Sequence, residues 1–107
     1  MSRGAEAGVN LDAGFAADQD GARWAYIGPL TFANAGPVLA ATAAVALPTG
    51  GEVDFQNAGA IDSSAVAVLL ALKRRAEGEG APLRFLRVPA PLVALAEVYG
   101  VESILGT

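Results

Sequence analysis

The chain has 107 residues, of which 53% are hydrophobic, and a formal net charge of −4 from seven Lys and Arg against eleven Asp and Glu. This length fits one domain with one modest core, and the acidic balance argues against a nucleic-acid partner, because phosphate binding needs a cationic face. The sequence contains neither Cys nor His, which excludes disulfides, thiolate chemistry, a Ser-His-Asp triad and His-ligated metal sites. We therefore predict a protein that is not an enzyme and that uses no metal or other cofactor.

The amino-terminal segment gives no sign of membrane targeting. Residues 1–8 are rich in Gly, Ala and charge, which predicts a disordered tail ahead of a single domain over residues 9–107. The first 21 residues carry four acids and lack an apolar core of signal-peptide length. Nowhere does the chain approach the roughly 18 to 20 consecutive apolar residues that a membrane span requires. We therefore predict a cytoplasmic protein.

Two strands are predicted at the start of the domain. Residues 9–15 alternate weakly between polar and apolar side chains, which is typical of an edge strand, and an acidic turn follows up to Gly21. Residues 23–30 place Trp24 and Tyr26 on one face of a second strand. We expect both aromatic side chains to lie in the core, and a small-ligand site on their face is the alternative.

Helices and strands alternate through the rest of the chain. Apolar residues at three- and four-residue spacing, among them Phe32, predict a helix over 31–47. Thr31 or Asn34 could cap this helix, and Pro37 favours a start after Asn34. The elements predicted after it are a strand over 52–57, a loop over 57–61, a helix over 65–76 with stop signals at Gly78 and Gly80, a strand over 81–88, a helix opened by Pro89 and Pro91 and ended by Gly100, and a short turn or strand over 101–105.

This order of elements predicts the fold class. The later strand–helix–strand segments imply parallel pairing with crossover helices, whereas the first two strands are close enough to form an antiparallel hairpin. The fold class is therefore α/β (α+β), with a mixed four- to five-stranded sheet packed with three or four helices. Glu52 and Asp54 are two residues apart on a strand, and we expect them to lie on a solvated face.

The stretch AIDSSAVAVLLALKRR, residues 60–75, joins polar and apolar residues abruptly. Asp62, Ser63 and Ser64 stand immediately before eight apolar residues, and three cations follow. Capping of a helix N-terminus explains one polar side chain in this position, but only one is needed. A second hydroxyl is then free to face a binding partner. The cations at 73–75 are interpreted as a helix-end feature.

Three stretches carry a resemblance to a known family: GPLTF at 28–32, VDFQNAGAIDSSAVAVLLALKRRA at 53–76 and PLRFLRVPAPLVALAEVYGVESIL at 82–105. Together they resemble the STAS domain family, and most closely its MlaB-type subunits of phospholipid-transport ABC systems. The resemblance implies a STAS-like (SpoIIAA-like) sandwich. In switching members of this family, the hydroxyl residue after the Asp is the phosphoacceptor, which maps onto Ser63. In MlaB-type members the same position lies at the contact with the ABC ATPase.

The resemblance also implies a function and a site. The chain would be a non-catalytic subunit that binds the cytoplasmic ATPase of an Mla-type phospholipid transporter, regulates or stabilises it, and meets the inner membrane only through that partner. The alternative is an anti-sigma factor antagonist, a partner-switching regulator that binds an anti-sigma factor and is phosphorylated at Ser63 by a serine kinase. The site residues implied are Ala58, Ile61, Asp62, Ser63, Ser64 and Ala65.

Overall fold

The structure, a computed structural model, describes residues 13–105. The predicted tail over 1–8 and most of the predicted edge strand over 9–15 lie outside the described residues. The described strands are β1 (Gly14–Ala17), β2 (Arg23–Leu30), β3 (Glu52–Ile61) and β4 (Arg84–Leu86), the helices are α1 (Ala35–Thr42), α2 (Ser63–Glu79) and α3 (Ala90–Val98), and a 3₁₀ turn covers Glu102–Leu105.

The strands form a mixed sheet in the order β1-β2-β3-β4. β1 and β2 pair antiparallel, with Phe15 opposite Tyr26. β2 pairs parallel with β3, and β3 pairs parallel with β4. Each parallel pair is joined through a helix, α1 in the first case and α2 in the second, because parallel strands need a long crossover connection. A four-stranded mixed sheet with three α-helices confirms the predicted α/β class.

One face of the sheet carries a row of aromatic side chains. Phe15, Tyr26, Phe55 and Phe85, one from each strand, follow one another across the sheet with ring centroids 4.6 to 5.9 Å apart. Such pairs contribute about 0.5–1.5 kcal/mol each beyond their buried area. Trp24 lies on the same face and is also buried, so the prediction that Trp24 and Tyr26 belong to the core is confirmed. All three helices pack onto this face through Val38, Val66, Val68, Leu69, Leu72 and Leu92.

The opposite face of the sheet carries ion pairs. Glu52 accepts hydrogen bonds from both Arg23 and Arg84, and Asp54 is paired with Arg87. The expectation of a solvated pair is therefore wrong for Asp54, which is 8% exposed. The Arg87 guanidinium holds the pKa of the Asp54 carboxyl below its usual value, because an opposite charge and a donated hydrogen bond favour the ionised form.

Helix α1 ends at Thr42, five residues before the predicted end at residue 47. Arg75 of α2 explains the difference, because its guanidinium donates to the carbonyl oxygens of Thr42 (2.9 Å) and Val45 (2.7 Å). These bonds satisfy carbonyl groups that a continuing helix would have paired internally. The cations at 73–75 do not end α2, so that interpretation is corrected: one of them ties down the end of α1.

Two later elements differ in length from the predictions. Helix α2 runs from Ser63 to Glu79 rather than over 65–76, and Gly78 lies inside it. Gly80 ends the helix in the left-handed conformation, as one of the two predicted stop signals. β4 covers three residues instead of eight, and it ends at Leu86 because Arg87 adopts a positive φ of 51° and breaks the extended backbone.

Candidate functional site

The carboxyl end of β3 leads directly into the predicted site. We predicted a loop over 57–61, but β3 continues to Ile61 and pairs there with Leu30 of β2, while Ala58 pairs with Gly28. The prediction failed because β2 offers a partner strand, which a local pattern does not reveal. Gly59 approaches the β2 backbone closely, since a Cβ on it would lie 3.3 Å from the Pro29 nitrogen. Ala58 and Ile61 therefore lie on a rigid strand end.

Asp62 connects the start of α2 to the loop before α1. One carboxylate oxygen accepts a hydrogen bond from the backbone N–H of Ser64 (2.8 Å), which makes Asp62 the N-cap of α2. The other oxygen accepts from the backbone N–H of Phe32 (2.9 Å). The Phe32 bond, followed by the Ser64 bond, holds the pKa of Asp62 below its usual value. Asp62 is thus ionised at neutral pH, and both of its oxygens are already bonded within the protein.

A second set of hydrogen bonds fixes the loop that carries Phe32. Asn34 accepts from the Thr31 backbone N–H and donates to the Pro29 carbonyl, both at 2.9 Å. The Tyr26 hydroxyl donates to the same carbonyl at 2.6 Å. Helix α1 begins directly after Asn34, as Pro37 favoured, and Asn34 occupies the N-cap position, but neither its side chain nor that of Thr31 bonds a backbone N–H of the helix. Their bonds instead hold the loop in one conformation.

The three residues at the start of α2 have different environments. Ser63, the first helical residue, is exposed, whereas Ser64 is half-buried and Ala65 is completely buried. Within residues 13–105, the Ser63 hydroxyl oxygen makes no hydrogen bond that meets ordinary distance and angle criteria. Asp62 therefore performs the capping, and Ser63 is an exposed residue that the cap does not use. Ala65 packs in the core and is not available to a partner, which corrects its assignment as a contact residue.

Exposed aromatic residues lie near the start of α2, since the Phe32 backbone N–H bonds Asp62 and Tyr99 lines a groove together with Ser63. Phe32 is 87% exposed and Tyr99, just beyond the end of α3, is 57% exposed. Between α2 and Tyr99 runs an open groove of about 340 Å³ that begins at Ser63. Exposed apolar side chains that cluster in this way mark interaction sites more often than isolated ones do. We call this area the Ser63 surface, which consists of Phe32, Ser63, Val66, Ala67, Leu70, Tyr99 and Val101.

Sequence reasoning missed the two aromatic members of this surface. Phe32 was counted among the regularly spaced apolar residues of the first helix, but that helix begins three residues later and Phe32 lies in the preceding turn. The available signal was Pro37, which already favoured a later start and would have moved Phe32 out of the helix. For Tyr99 the position beside Gly100, at the end of a helix, indicated partial exposure but no role.

Within residues 13–105, no three Asp or Glu side chains are grouped closely enough to hold a metal ion. Lys73 donates to the carbonyl of Leu83 and lies 5.8 Å from the centre of the Phe85 ring. It is ten residues after Ser63 on α2. None of the helices in the described region is long and apolar enough to cross a membrane.

The fold and the site define a class of protein. A mixed four-stranded sheet with three α-helices is consistent with the fold of a STAS domain. The chain belongs to the STAS family described as "Mlab, STAS domain", whose sequence profile matches residues 25–106. Domains of this family are generally regulatory and non-enzymatic. A search of curated proteins found no match.

Proposed function

We propose that this chain is the STAS subunit of an Mla-type phospholipid-transport ABC system and that it binds the cytoplasmic ATPase subunit through the Ser63 surface. The observation that carries the proposal is the position of Ser63, exposed at the first residue of α2, at an apolar groove and directly after Asp62, which bonds the backbone of the exposed Phe32. The family match supports the proposal, because it names the MlaB type of STAS domain.

The chemistry of the Ser63 surface suits a protein partner. Its side chains are apolar apart from the hydroxyl groups of Ser63 and Tyr99. The neighbouring Asp62 carboxylate accepts hydrogen bonds from two backbone N–H groups, which partly compensates its charge within the protein. An apolar side chain of the partner would fill the groove, while Phe32 would supply a large aromatic anchor of the kind that dominates binding energy at interfaces.

The rigidity of the site favours its role as a fixed docking surface. Phe32 is held by the Asp62 bond and by the hydrogen-bonded loop around Asn34, and the strand end before Asp62 is paired with β2. The free-energy cost of ordering the backbone of the Phe32 loop and the end of β3 on binding is therefore small. Binding of this kind stabilises the assembled ATPase by mass action, which gives a non-catalytic subunit a means of regulation.

The test is a pull-down of the purified chain with the ATPase subunit of its own organism's Mla-type system, repeated with Ser63→Glu. We expect wild type to form a complex and Ser63→Glu to lose most of it, because the substitution places a charge in a desolvated contact. Thr49→Glu is the matched control, since Thr49 is exposed and precedes β3, at the opposite end of that strand from Ser63. Absence of a wild-type complex, or equal binding by both variants, contradicts the proposal.

A second candidate function is that of an anti-sigma factor antagonist switched by phosphorylation of Ser63. The observation in its favour is that Ser63 is exposed at a helix N-terminus, where backbone N–H groups favour an anion. A phosphate would add about −1.5 to −2 charges there. Incubation with a cognate serine kinase and ATP, followed by mass spectrometry, tests this candidate. An unmodified Ser63 would rule it out and leave the first proposal intact.

A further inference from the structure

Arg74 differs from the other cationic side chains of the described chain. Within residues 13–105, each of the others donates a hydrogen bond to an acceptor of the same chain. They are Lys73, which donates to a backbone carbonyl, and Arg23, Arg75, Arg84 and Arg87, each of which is paired with an Asp or Glu. The Arg74 side chain is exposed and makes no hydrogen bond or ion pair with any described residue. Its charge is therefore free to pair with another molecule.

Arg74 continues the face of α2 that lines the groove of the Ser63 surface. Ser63, Ala67, Leu70 and Arg74 follow one another at intervals of four, three and four residues, which places them on one face of the helix. The helical rise puts Arg74 about 16 Å from Ser63 along the axis and about 6 Å beyond Leu70. A helical Cα–Cβ bond tilts toward the helix N-terminus, so the Arg74 side chain leaves the backbone in the direction of Leu70. Arg74 therefore lies at the end of the groove that is remote from Ser63.

The two ends of the groove differ in charge. The Asp62 carboxylate lies at the first end, immediately before Ser63, and the Arg74 guanidinium lies at the other. Glu102 follows the groove residue Val101 and adds a second negative charge beside the lining, and Glu77 follows Arg74 after one turn without forming an ion pair with it. An acidic side chain on a docked segment is therefore repelled near Asp62 and attracted near Arg74. Such a charge pattern fixes the direction in which a segment lies in the groove.

The chemistry of the groove and of Arg74 together describes one occupant. Between its ends the groove is lined by Val66, Ala67, Leu70, Val101 and the Tyr99 side chain, which suits an apolar segment of a protein partner. We infer that the groove receives an apolar segment of the ATPase subunit that carries an acidic side chain at one end, and that this carboxylate pairs with Arg74. The inference rests on the proposed function, because it names the part of the ATPase subunit that occupies the Ser63 surface. An Arg–carboxylate pair at the rim of an interface fixes register and speeds association.

A zero-length crosslink tests the pair directly. Arg74→Lys keeps the positive charge and supplies an amine, which a carbodiimide joins to a carboxylate in direct contact with it. The variant would be mixed with the ATPase subunit, treated with the carbodiimide and analysed by mass spectrometry. We expect a linkage from position 74 to an Asp or Glu of the ATPase subunit beside an apolar stretch. Arg84→Lys is the matched control, because Arg84 is also exposed but lies on the face of the sheet opposite the helices, and we expect no linkage from position 84.

Affinities measured by titration calorimetry give the second readout. Arg74→Gln should weaken the complex about three- to tenfold, and the difference from wild type should shrink at high salt because the pair is screened. Arg84→Gln removes the same charge and should change the affinity less than about twofold. Glu77→Gln should tighten binding, since it removes a negative charge near the partner's carboxylate.

The outcomes separate this inference from the proposed function. A wild-type complex without a linkage from position 74, or with equal affinities for Arg74→Gln and Arg84→Gln, overturns the acidic partner segment and leaves the ATPase contact in place. Weaker binding by Glu77→Gln contradicts the sign of the partner's charge. Absence of any wild-type complex overturns both proposals.

Discussion

Phe55 and Phe32 are the same residue type in opposite environments. Phe55 is fully buried in the aromatic row of the sheet, in contact with rings on both neighbouring sides. Phe32 is 87% exposed, although the loop that carries it is hydrogen-bonded on several sides. The burial of Phe55 accounts for its place in the fold, whereas the exposed Phe32 ring has no such role, although its backbone is hydrogen-bonded. The contrast separates a residue that stabilises the fold from one that we propose contacts a partner.

Truncation of the two rings gives the largest contrast. Phe55→Ala should lower the free energy of unfolding by about 3–5 kcal/mol, because it removes buried area and leaves a cavity. Phe32→Ala should change it by less than about 0.5 kcal/mol, since the ring is in solvent. Urea unfolding measures both. A large loss for Phe32→Ala would show that the ring packs in the folded chain and would remove the contrast.

Phe32→Ala should weaken binding of the ATPase subunit strongly although it leaves the stability of the chain nearly unchanged. Phe32→Ala is expected to weaken the complex with the ATPase subunit by about 2 kcal/mol, or about 30-fold in Kd, the cost of removing an aromatic anchor. Isothermal titration calorimetry measures it. Ile27→Ala serves as the control, because Ile27 is also exposed, at 48%, but lies on β2 outside the Ser63 surface. An equal loss for the two variants would argue against a localised contact.

Tyr26 connects the two regions, because its ring lies in the aromatic row and its hydroxyl bonds the Pro29 carbonyl of the Phe32 loop. Tyr26→Phe should lower the free energy of unfolding by about 1 kcal/mol, the typical value of one hydrogen bond. The cost stays modest because Asn34 still donates to the same carbonyl. Tyr99→Phe, at an exposed hydroxyl, should be neutral in the same denaturation assay. A neutral Tyr26→Phe would mean that the hydroxyl bond contributes nothing to the fold.

Acid sensitivity should give the smallest effect. The pKa of Asp62 is lowered in the folded chain by the Phe32 and Ser64 backbone bonds, so the unfolded state binds its proton at higher pH. The stability that Asp62 contributes is therefore present above an unfolded pKa of about 4 and is lost as pH falls through the folded value. In the Asp62→Asn variant, the urea concentration at half unfolding should fall less steeply as the pH drops below about 4. An unchanged decline would contradict the role of the two bonds.

The sequence predicted the core better than the site. Alternation placed Trp24 and Tyr26 inside, and the order of elements predicted the mixed sheet, because both depend on periodicity that the sequence displays. The predictions for the end of α1 and for the last residues of β3 were wrong. Both depend on contacts with parts of the chain that are distant in sequence, Arg75 in the first case and β2 in the second. The Asp62 cap could be anticipated from local chemistry. The second hydrogen bond of Asp62, from the backbone N–H of Phe32 thirty residues earlier, forms only in the folded chain. The sequence around Asp62 therefore could not predict it.

A photo-crosslinking measurement tests the docking surface most directly. A benzoyl-phenylalanine placed at position 32, and separately at position 45, would be irradiated in the presence of the ATPase subunit. Val45 is the comparison because it is exposed and apolar but lies beyond the opposite end of α1. We predict a crosslinked complex from position 32 and none from position 45. Crosslinking from position 45 alone, or from neither position while the complex still forms, would contradict docking through the Ser63 surface.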